Sequence, residues 1–270
     1  MRAVSITKAA ELFSWSRRVG APIPTLPADL APGDLEEAYE IQIATLRLRG
    51  MGTAGFKVGL TNVEAQRGIG AAAPIAGRLV TADILRSPAR IALPGDHLRI
   101  VEAEVVFEVG CAVSADDMPL SEADVYHCLR AAYAGIEICN SRLMGSEEAP
   151  LTTIVADNSN ADRLVVGDRL TDWSIDALAE LPVTLTRRGQ RPIEGSTRSV
   201  LDNPLKAVTW LANWLCARGE GLKEGDLIAS GSCTGMTEVA RDDAVSATFG
   251  GGARVSIEFT EVDMKNGVRA

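Results

Sequence analysis

Eight short runs of apolar and β-branched residues, each bounded by Gly, Pro or Asp, most constrain the fold of this chain. The runs read GFKVGL, RIVEAEVVFEVG, GIEIC, DRLVVG, LPVTLTRRG, GDLIASG, AVSATFG and ARVSIEFTEV. Runs of this length and composition predict β-strands. Because helical segments do not alternate regularly with them, a doubly wound parallel sheet is disfavoured. We predict a mixed α+β fold with a β-sandwich or barrel core.

Three segments carry the signals of helix ends. Residues 34–50, 121–135 and 203–219 each open on Asp, Ser or Asn and close on Gly, with apolar residues at helical spacing between. We therefore predict a helix in each. The first 20 residues form a further amphipathic helical segment, which the Pro-rich residues 21–34 join to the body.

Composition and charge exclude several classes of protein. A hydrophobic fraction of 46% with 23% charged residues is typical of a globular domain rather than a disordered chain. No apolar run approaches the roughly 20 residues of a membrane-spanning helix. The formal net charge of -9 argues against nucleic acid as a partner, since phosphate binding relies on clustered Lys and Arg.

Five cysteines without a Cys-x-x-Cys pair indicate free thiols rather than a disulfide framework or a zinc site. The chain opens without a secretory signal, so we expect a reduced, cytoplasmic protein. A cysteine nucleophile needs a nearby histidine as its base. The sequence has only two histidines: His97, which we expect in a turn, and His127, which we expect within a helix. Thiol catalysis is therefore disfavoured.

Charged residues lie on one face of three predicted strands. Glu102 and Glu104 share a face, because successive side chains of a strand point to opposite sides. Lys57 and Glu137 each stand alone among small residues on their own strand faces. Faces open to water also carry charges, but glycine in a strand often marks the close approach of a ligand or another backbone. We therefore predict a pit lined by one lysine and three glutamates.

Three converging carboxylates repel one another and raise each other's pKa unless a cation lies among them. Ligation by oxygen alone, without His or Cys, points to Mg²⁺ or Mn²⁺. An octahedral ion with about three protein ligands keeps about three positions open, which suits a chelating 2-oxo acid and a water. Lys57 would bring the net charge of the filled site to neutral before an anionic substrate arrives.

Two loops offer further polar groups. ADNSN carries Asp157 and Asn158, which can contact the substrate or the groups around it, although an Asx turn explains the same residues equally well. SGSCTGM supplies backbone N–H groups and hydroxyls able to bind a carboxylate, Gly231 and Ser232 among them. The chain has neither a P-loop nor a Gly-x-Ser-x-Gly motif.

Taken in order, the motifs of the chain resemble those of one family. They are DLEEAYEIQ, GFKVGLTN, VEAEVVFEVG, GIEICNSRL, VADNSNADRLVVG, GDLIASGS and ATFGGGARVSIEF. The combination resembles the 2-keto-4-pentenoate hydratase and 4-oxalocrotonate decarboxylase branch of the fumarylacetoacetate hydrolase superfamily. The resemblance runs from Leu35 to Phe259, nearly the whole chain.

The resemblance implies a mixed β-sandwich roll with flanking helices, dependence on Mg²⁺ or Mn²⁺, and 2-oxo or 2-hydroxydienoate substrates from the degradation of aromatic compounds. It implies residues 1–50 as an N-terminal helical segment and 51–270 as a catalytic β-roll domain, together one compact unit. Homo-oligomers are usual in such enzymes, and association with a related pathway enzyme is an open alternative.

The resemblance also assigns residues. Glu102, Glu104 and Glu137 fall on the metal ligands and Lys57 on the active-site lysine. Asp157 and Asn158 match a loop near the active site, and the resemblance does not assign a role to either residue. We expect the substrate pocket to be lined by four residues, which are Gly231, Ser232, Leu60 and Ile75.

Two departures from the family pattern bear on the substrate. Ile75 and Ala76 of PIAGRL stand where the family usually has an acid and an aromatic residue, and Asn140 replaces the Asp of a D-S-R segment. The metal site is unaffected by these changes. They alter the proton-transfer group and the far end of the pocket, where Ile75 and Ala76 favour a small, apolar substrate.

Four activities fit this pattern to different degrees. We expect a hydratase that adds water to a 2-hydroxy-2,4-dienoate. Decarboxylation of a 2-oxo-3-enedioate uses the same metal-stabilised dienolate, but the second carboxylate of such a substrate would need a cationic group at the far end of the pocket. Hydrolysis of an acylpyruvate C–C bond needs a base near the N-terminus. Glu36 and Glu37 lie in the first turn of a predicted helix, so this activity is less favoured. A non-catalytic partner subunit would have no reason to keep the three acids.

Overall fold

A computed structural model describes residues 2–93, 99–145, 149–171 and 173–261. The helices are α1 (Arg2–Val19), α2 (Leu35–Leu48), α3 (Val63–Ile69), α4 (Glu122–Cys128), α5 (Leu151–Ala156), α6 (Ile175–Leu178) and α7 (Pro204–Ala217). The strands are β1 (Thr53–Gly59), β2 (Ile75–Val80), β3 (Ile84–Arg86), β4 (Ala89–Leu93), β5 (Arg99–Val109), β6 (Leu129–Cys139), β7 (Ala161–Arg169), β8 (Pro182–Arg187), β9 (Ile193–Ser196), β10 (Leu227–Ser232), β11 (Thr237–Val239), β12 (Ala244–Phe249) and β13 (Ala253–Glu261). The prediction of a mixed α+β fold is confirmed.

Two mixed sheets form the body of the molecule. The larger has the order β2-β1-β10-β5-β6-β7-β3, with β11 paired to β5, and the smaller has the order β4-β13-β12-β8-β9. The pairs β1 with β10, β3 with β7 and β4 with β13 are parallel, and β10, β5, β6 and β7 pair antiparallel in turn. A strand order that departs so far from chain order explains why the motifs of the site are scattered along the sequence.

The main apolar core lies on one face of the larger sheet. It takes the odd-numbered residues of β5, inward residues of the smaller sheet such as Val255 and Ile257, and the apolar side of α7, including Leu205 and Val208. The even-numbered face of β5 contributes only Val106 to a second, smaller apolar cluster. The charged face predicted from the sequence is therefore on the side of the sheet opposite to the main core.

The N-terminal helices are tied to the sheet through its edge strand β2. The Ala76 N–H donates to Tyr39 Oη over 3.1 Å. The Ala76 carbonyl accepts from Gln42 Nε2 at 3.1 Å and from Ser159 Oγ at 2.8 Å. Because Tyr39 and Gln42 belong to α2, this helix is held against the strand that follows the lysine strand.

The predicted strands are all present, and two of the three helices are correct. α2 begins after an Asp34 cap, and α7 begins after an Asn203 cap with Pro204 in its first turn. The prediction of one helix over 121–135 is wrong, because α4 ends at Cys128 and β6 follows at once. Pairing with β5 along the length of β6 overrides the local helical signal. The short strands β2, β3, β4, β9 and β11 had not been predicted.

One further expectation is corrected. Cys111 and Cys128 form a disulfide, with their Cα atoms 5.0 Å apart, so the five cysteines are not all free thiols. Their spacing of 17 residues gave no signal of the pair, which forms because the ends of β5 and α4 meet.

His97 lies outside the described residues. Within the described ranges, none of the helices has the length and apolar character needed to cross a membrane.

The two sheets are in close contact at Gly167 of β7. A Cβ atom at this position would lie 2.2 Å from the carbonyl oxygen of Arg254 and 2.7 Å from Cβ of Val255, both on β13. Neither contact is possible between unbonded atoms, and backbone cannot move aside as a flexible side chain does. A glycine is therefore required where the sheets meet.

We expect Gly167→Ala to lower the free energy of unfolding by about 3 kcal/mol, the upper range for overpacking of a core. Gly52→Ala is the matched control, since a Cβ there meets nothing within 4 Å and should change stability by less than about 0.5 kcal/mol. Urea unfolding of both variants measures the difference. Equal effects of the two substitutions would contradict the close approach of the sheets.

Candidate metal and active site

Four neighbouring strands bring the predicted lysine and glutamates together. In the pairing of β5 with β6, Glu102 lies opposite Glu137 and Glu104 opposite Gly135. β10 places Ser232 opposite Glu104 on the other side of β5. Lys57 lies on β1, the next strand along, opposite Ala229 of β10. The register therefore brings onto one face of the sheet residues that are 80 positions apart in the chain.

The cluster is buried. The exposed fraction is 4% for Lys57, 1% for Glu104 and 0% for Glu137, and Glu102 is half-buried. Lys57 Nζ lies 3.3 Å from Glu137 Oε1. Within the described part of the chain, neither carboxylate oxygen of Glu137 accepts a hydrogen bond. Because a buried carboxylate without hydrogen bonds is costly, Glu137 calls for a further positive partner.

Three potential ligand atoms converge on one point. One donor atom each from Glu102, Glu137 and Cys139 lie within 4.8 Å of one another. Glu104 is held slightly apart, because its Oε2 accepts the backbone N–H of Gly231 at 2.9 Å. The carboxylates fit a hard divalent cation such as Mg²⁺ or Mn²⁺, which oxygen ligands bind.

The acid–base properties of the cluster point to the same need for a cation. Burial first, and then the charges of Glu137 and Glu102, raises the pKa of Glu104 well above its usual range. Burial and the charge of Glu137 also raise the pKa of Glu102. Burial alone would lower the pKa of Lys57, but the neighbouring carboxylates, Glu137 above all, outweigh it and raise that pKa. Lys57 therefore tends to keep its charge, and it supplies one positive charge for three carboxyl groups.

The end of β10 holds Glu104 in place. Gly231 has φ of +116°, and a Cβ there would lie 2.1 Å from Thr61 Oγ1. Only glycine fits this backbone conformation and this contact. Its N–H is used by Glu104, and the Ser232 hydroxyl donates to the carbonyl of Gly235 at 3.0 Å. The loop predicted to bind a substrate carboxylate thus also fixes a carboxylate of the protein.

Asp157 and Asn158 lie beside the site but are engaged with other groups. Asp157 is buried against Arg142, whose Nε and backbone N–H both donate to its carboxylate. The Asn158 amide accepts the Arg78 N–H at 2.8 Å and donates to the Arg78 carbonyl at 2.9 Å. These contacts are not Asx turns, since both side chains bind residues distant in the sequence, and through them Asp157 and Asn158 tie the ADNSN segment to Arg142 and β2.

Ile75 and Leu60 lie at the end of the lysine strand. A Cβ at Gly59 would lie 3.2 Å from Ile75 and 3.5 Å from Lys57 Nζ, so Ile75 and the ammonium group border the same small space. Leu60 follows with φ of +55°. Arg78, on the opposite face of β2 from Ile75, stacks over Phe56 and pairs with Glu220 over 2.7 Å.

The sequence did not indicate three residues that shape the site. Thr61 packs on Gly231, Arg142 neutralises Asp157, and Cys139 lies among the metal-binding candidates. The sequence places Cys139 beside Glu137 as one of its small neighbours, without indicating a role as a ligand. Its place two residues after Glu137 on the same strand was a signal, because both side chains must then share a face.

Comparisons with known proteins give this geometry a family. No family model matches the chain. The TodF product hydratase of Pseudomonas putida strain F1 is 31% identical over 267 residues, which cover 96% of this chain and 97% of that protein. The 2-keto-4-pentenoate hydratase of Paraburkholderia xenovorans is 29% identical, with 97% of both chains covered. The chain belongs to the 2-keto-4-pentenoate hydratase family.

The fold of this hydratase family member also matches a solved decarboxylase. The 4-oxalocrotonate decarboxylase of Pseudomonas putida G7, determined with magnesium and adipate, superposes with a TM-score of 0.85 at 24% identity. The match covers 94% of this chain and 97% of the decarboxylase. The resemblance inferred from the sequence is confirmed for both halves of the branch, by sequence for the hydratases and by fold for the decarboxylase.

We expect Glu137→Gln to weaken Mn²⁺ binding by more than about 100-fold, beyond the effect of changing a group outside the ligand shell. Glu108→Gln is the matched control, because Glu108 lies on the same face of β5 but binds Arg130 and Tyr133. Calorimetric titration of Mn²⁺ into both variants and the parent measures the affinities. Retained binding in Glu137→Gln would contradict a metal site at this point.

Proposed function

We propose that the protein is a divalent-metal-dependent hydratase that adds water to a 2-hydroxy-2,4-dienoate and gives a 4-hydroxy-2-oxo acid. The observation that carries the proposal is the buried Glu137, whose carboxylate contacts Lys57 but accepts no hydrogen bond among the described residues, in a chain that aligns over nearly its whole length with hydratases. A purely structural role would have given this carboxylate hydrogen-bond donors. Without them, its oxygens are free to bind a cation.

Glu102, Glu104 and Glu137 would hold Mg²⁺ or Mn²⁺. When bound, the ion supplies a Lewis acid that polarises the 2-oxo group of a chelating substrate and stabilises negative charge on its oxygen. Glu104 would reach the ion with the oxygen that Gly231 leaves free. Gly231 and Thr61 then act by fixing the direction of Glu104.

Lys57 would stabilise charge rather than move a proton. Burial lowers the pKa of Lys57, but the charge of Glu137 outweighs burial and raises that pKa, which favours the protonated amine. A fixed ammonium group in a site closed to water stabilises a developing enolate oxygen far more than the same charge would in solvent. In the overall reaction the substrate gives up its enol proton and becomes a 2-oxo acid. C3 and C5 each gain a proton, which balances the enol proton and one proton of water, and the hydroxyl group of the water is added to C4.

The far end of the pocket favours a substrate with a single carboxylate. Among the described residues of β2, Ile75 borders the site, and the cation of this strand, Arg78, is turned to the other face and paired with Glu220. A 2-oxo-3-enedioate would leave its second carboxylate against Ile75 without a partner, at a cost typical of an unpaired buried charge. Decarboxylation of such a diacid is the second candidate, favoured by the fold of the decarboxylase.

The remaining assignments support this chemistry indirectly. Asp157 and Asn158 would act as positioning residues that fix β2, while Ser232, Leu60 and Ile75 would border the substrate. We also infer that the two sheets form the β-sandwich roll of the superfamily, and that residues 1–50 and 51–270 form one unit, because α2 donates hydrogen bonds to β2 and α5.

Self-association of the chain is a further part of the proposal. The large apolar side chains of Trp15, Leu48 and Met51, in or just after the N-terminal helices, are each at least 44% exposed. An apolar patch formed by such side chains would be typical of a contact surface. We infer a homo-oligomer, which light scattering of the purified protein measures directly.

Loss of the ultraviolet absorbance of 2-hydroxypenta-2,4-dienoate tests the proposal. We expect turnover with Mg²⁺ or Mn²⁺, none after chelation, and 4-hydroxy-2-oxopentanoate as the product. Glu137→Gln should be inactive under the same conditions. Metal binding without turnover of this dienol, together with CO₂ release from a 2-oxo-3-enedioate, would overturn hydration in favour of decarboxylation.

We expect Lys57→Met to lower kcat by about 10² to 10³, the usual loss when one stabilising donor is removed from a developing oxyanion. Mn²⁺ affinity should be kept or increased, since the substitution removes a positive charge beside the ligands. Lys206→Met is the control, because Lys206 lies on α7 and pairs with Asp202. This substitution should leave kcat unchanged. An unaffected kcat in Lys57→Met would contradict the assigned role.

A further inference from the structure

Cys139 occupies a position in the acid cluster that a purely apolar role does not explain. It ends β6, and its side chain shares a face with Glu137 two residues earlier. Its thiol lies 3.5 Å from Glu102 Oε2 and can donate to it. Sγ and one oxygen each of Glu102 and Glu137 lie within 4.8 Å of one another, a spacing that a single cation can bridge.

The carboxylate of Glu137, which lacks hydrogen bonds, independently points to a cation position here. Glu137 is fully buried, and neither of its oxygens accepts a hydrogen bond within the described residues. The three atoms closest to one another therefore include one thiol, and Glu104, with one oxygen bound to the Gly231 N–H, lies outside this set. Cys216 shows the contrast, since it is a residue of α7 that lies in the apolar core.

We propose that Cys139 is a ligand of the metal and gives this protein a mixed oxygen and sulfur site. This inference rests on the metal site of the proposed function and extends it. On binding, the divalent ion takes the place of the thiol proton, which leaves to solvent, and the sulfur lone pair binds the ion. Thiolate ligands favour Zn²⁺ and Co²⁺ over Mg²⁺, so the site selects metals differently from one made of three carboxylates.

Cobalt reports the bond directly. Co²⁺ added to the metal-free full-length protein should produce a sulfur-to-cobalt charge-transfer band in the near ultraviolet. We expect Cys139→Ser and Cys139→Ala both to lack the band while still binding Co²⁺ through the carboxylates. Two variants are used because either alone could disturb β6, and thermal unfolding of each confirms that it is folded.

Two other buried cysteines serve as controls. Cys216→Ala should keep the band, because this residue is outside the site. Cys233 lies next to Ser232 and is the competing thiol, so Cys233→Ala should also keep the band. A band lost in Cys233→Ala and kept in Cys139→Ser would overturn the assignment.

Metal preference gives a second measurement. We expect Cys139→Ser to weaken Zn²⁺ binding about tenfold or more and to change Mg²⁺ binding by less than about threefold, where each tenfold step corresponds to about 1.4 kcal/mol. Competition titrations with a chromophoric chelator measure both affinities. An equal loss for the two metals would show that the substitution merely distorts the carboxylates, and would overturn the inference.

The outcomes separate this inference from the proposed hydratase activity. A cobalt band that depends on Cys139, without turnover of the dienol, supports the ligand and contradicts the activity. Turnover with Mg²⁺ and no cobalt band supports the activity and contradicts the ligand. Failure to bind any divalent ion would overturn both.

Discussion

The repulsion among three carboxylates on one face of the larger sheet is the constraint on which the rest of the site depends. β5 and β6 set Glu102 directly opposite Glu137. Lys57 offsets part of the repulsion between them. The folded protein therefore gathers three acidic side chains on a largely buried face of the sheet, an arrangement that a bound cation would stabilise.

Holding this charge requires rigid support, which the structure supplies from several directions. Glycine at position 231 lets Thr61 pack against the loop that binds Glu104. Arg142 neutralises Asp157, so this buried acid does not add to the negative charge of the centre. The main core lies on the other face of the sheet, where apolar residues of β5 alternate with the acids. One strand thus serves both stability and chemistry through its two faces.

Much of this could be predicted from the sequence because strand periodicity is local. The alternation in VEAEVVF placed Glu102 and Glu104 on one face, and the small neighbours of Lys57 and Glu137 indicated a crowded pit. The register between strands is not local, so the approach of Cys139 to Glu102 on the neighbouring strand, and the contact of Asp157 with Arg142, could not be predicted. The helix predicted over 121–135 failed for a related reason, since pairing with β5 decides the conformation of residues after Cys128.

The hydrogen bonds of Asn158 with Arg78 have a consequence for the assembly of the protein. β2 is an edge strand, and an exposed edge is a template onto which another chain can add a strand. The amide of Asn158 satisfies the N–H and the carbonyl of Arg78 as a neighbouring strand would, and side chains of α2 and Ser159 do the same at Ala76. This edge is therefore closed to intermolecular sheet extension, and copies of the protein that meet on this side must associate through side chains rather than through a continuous sheet.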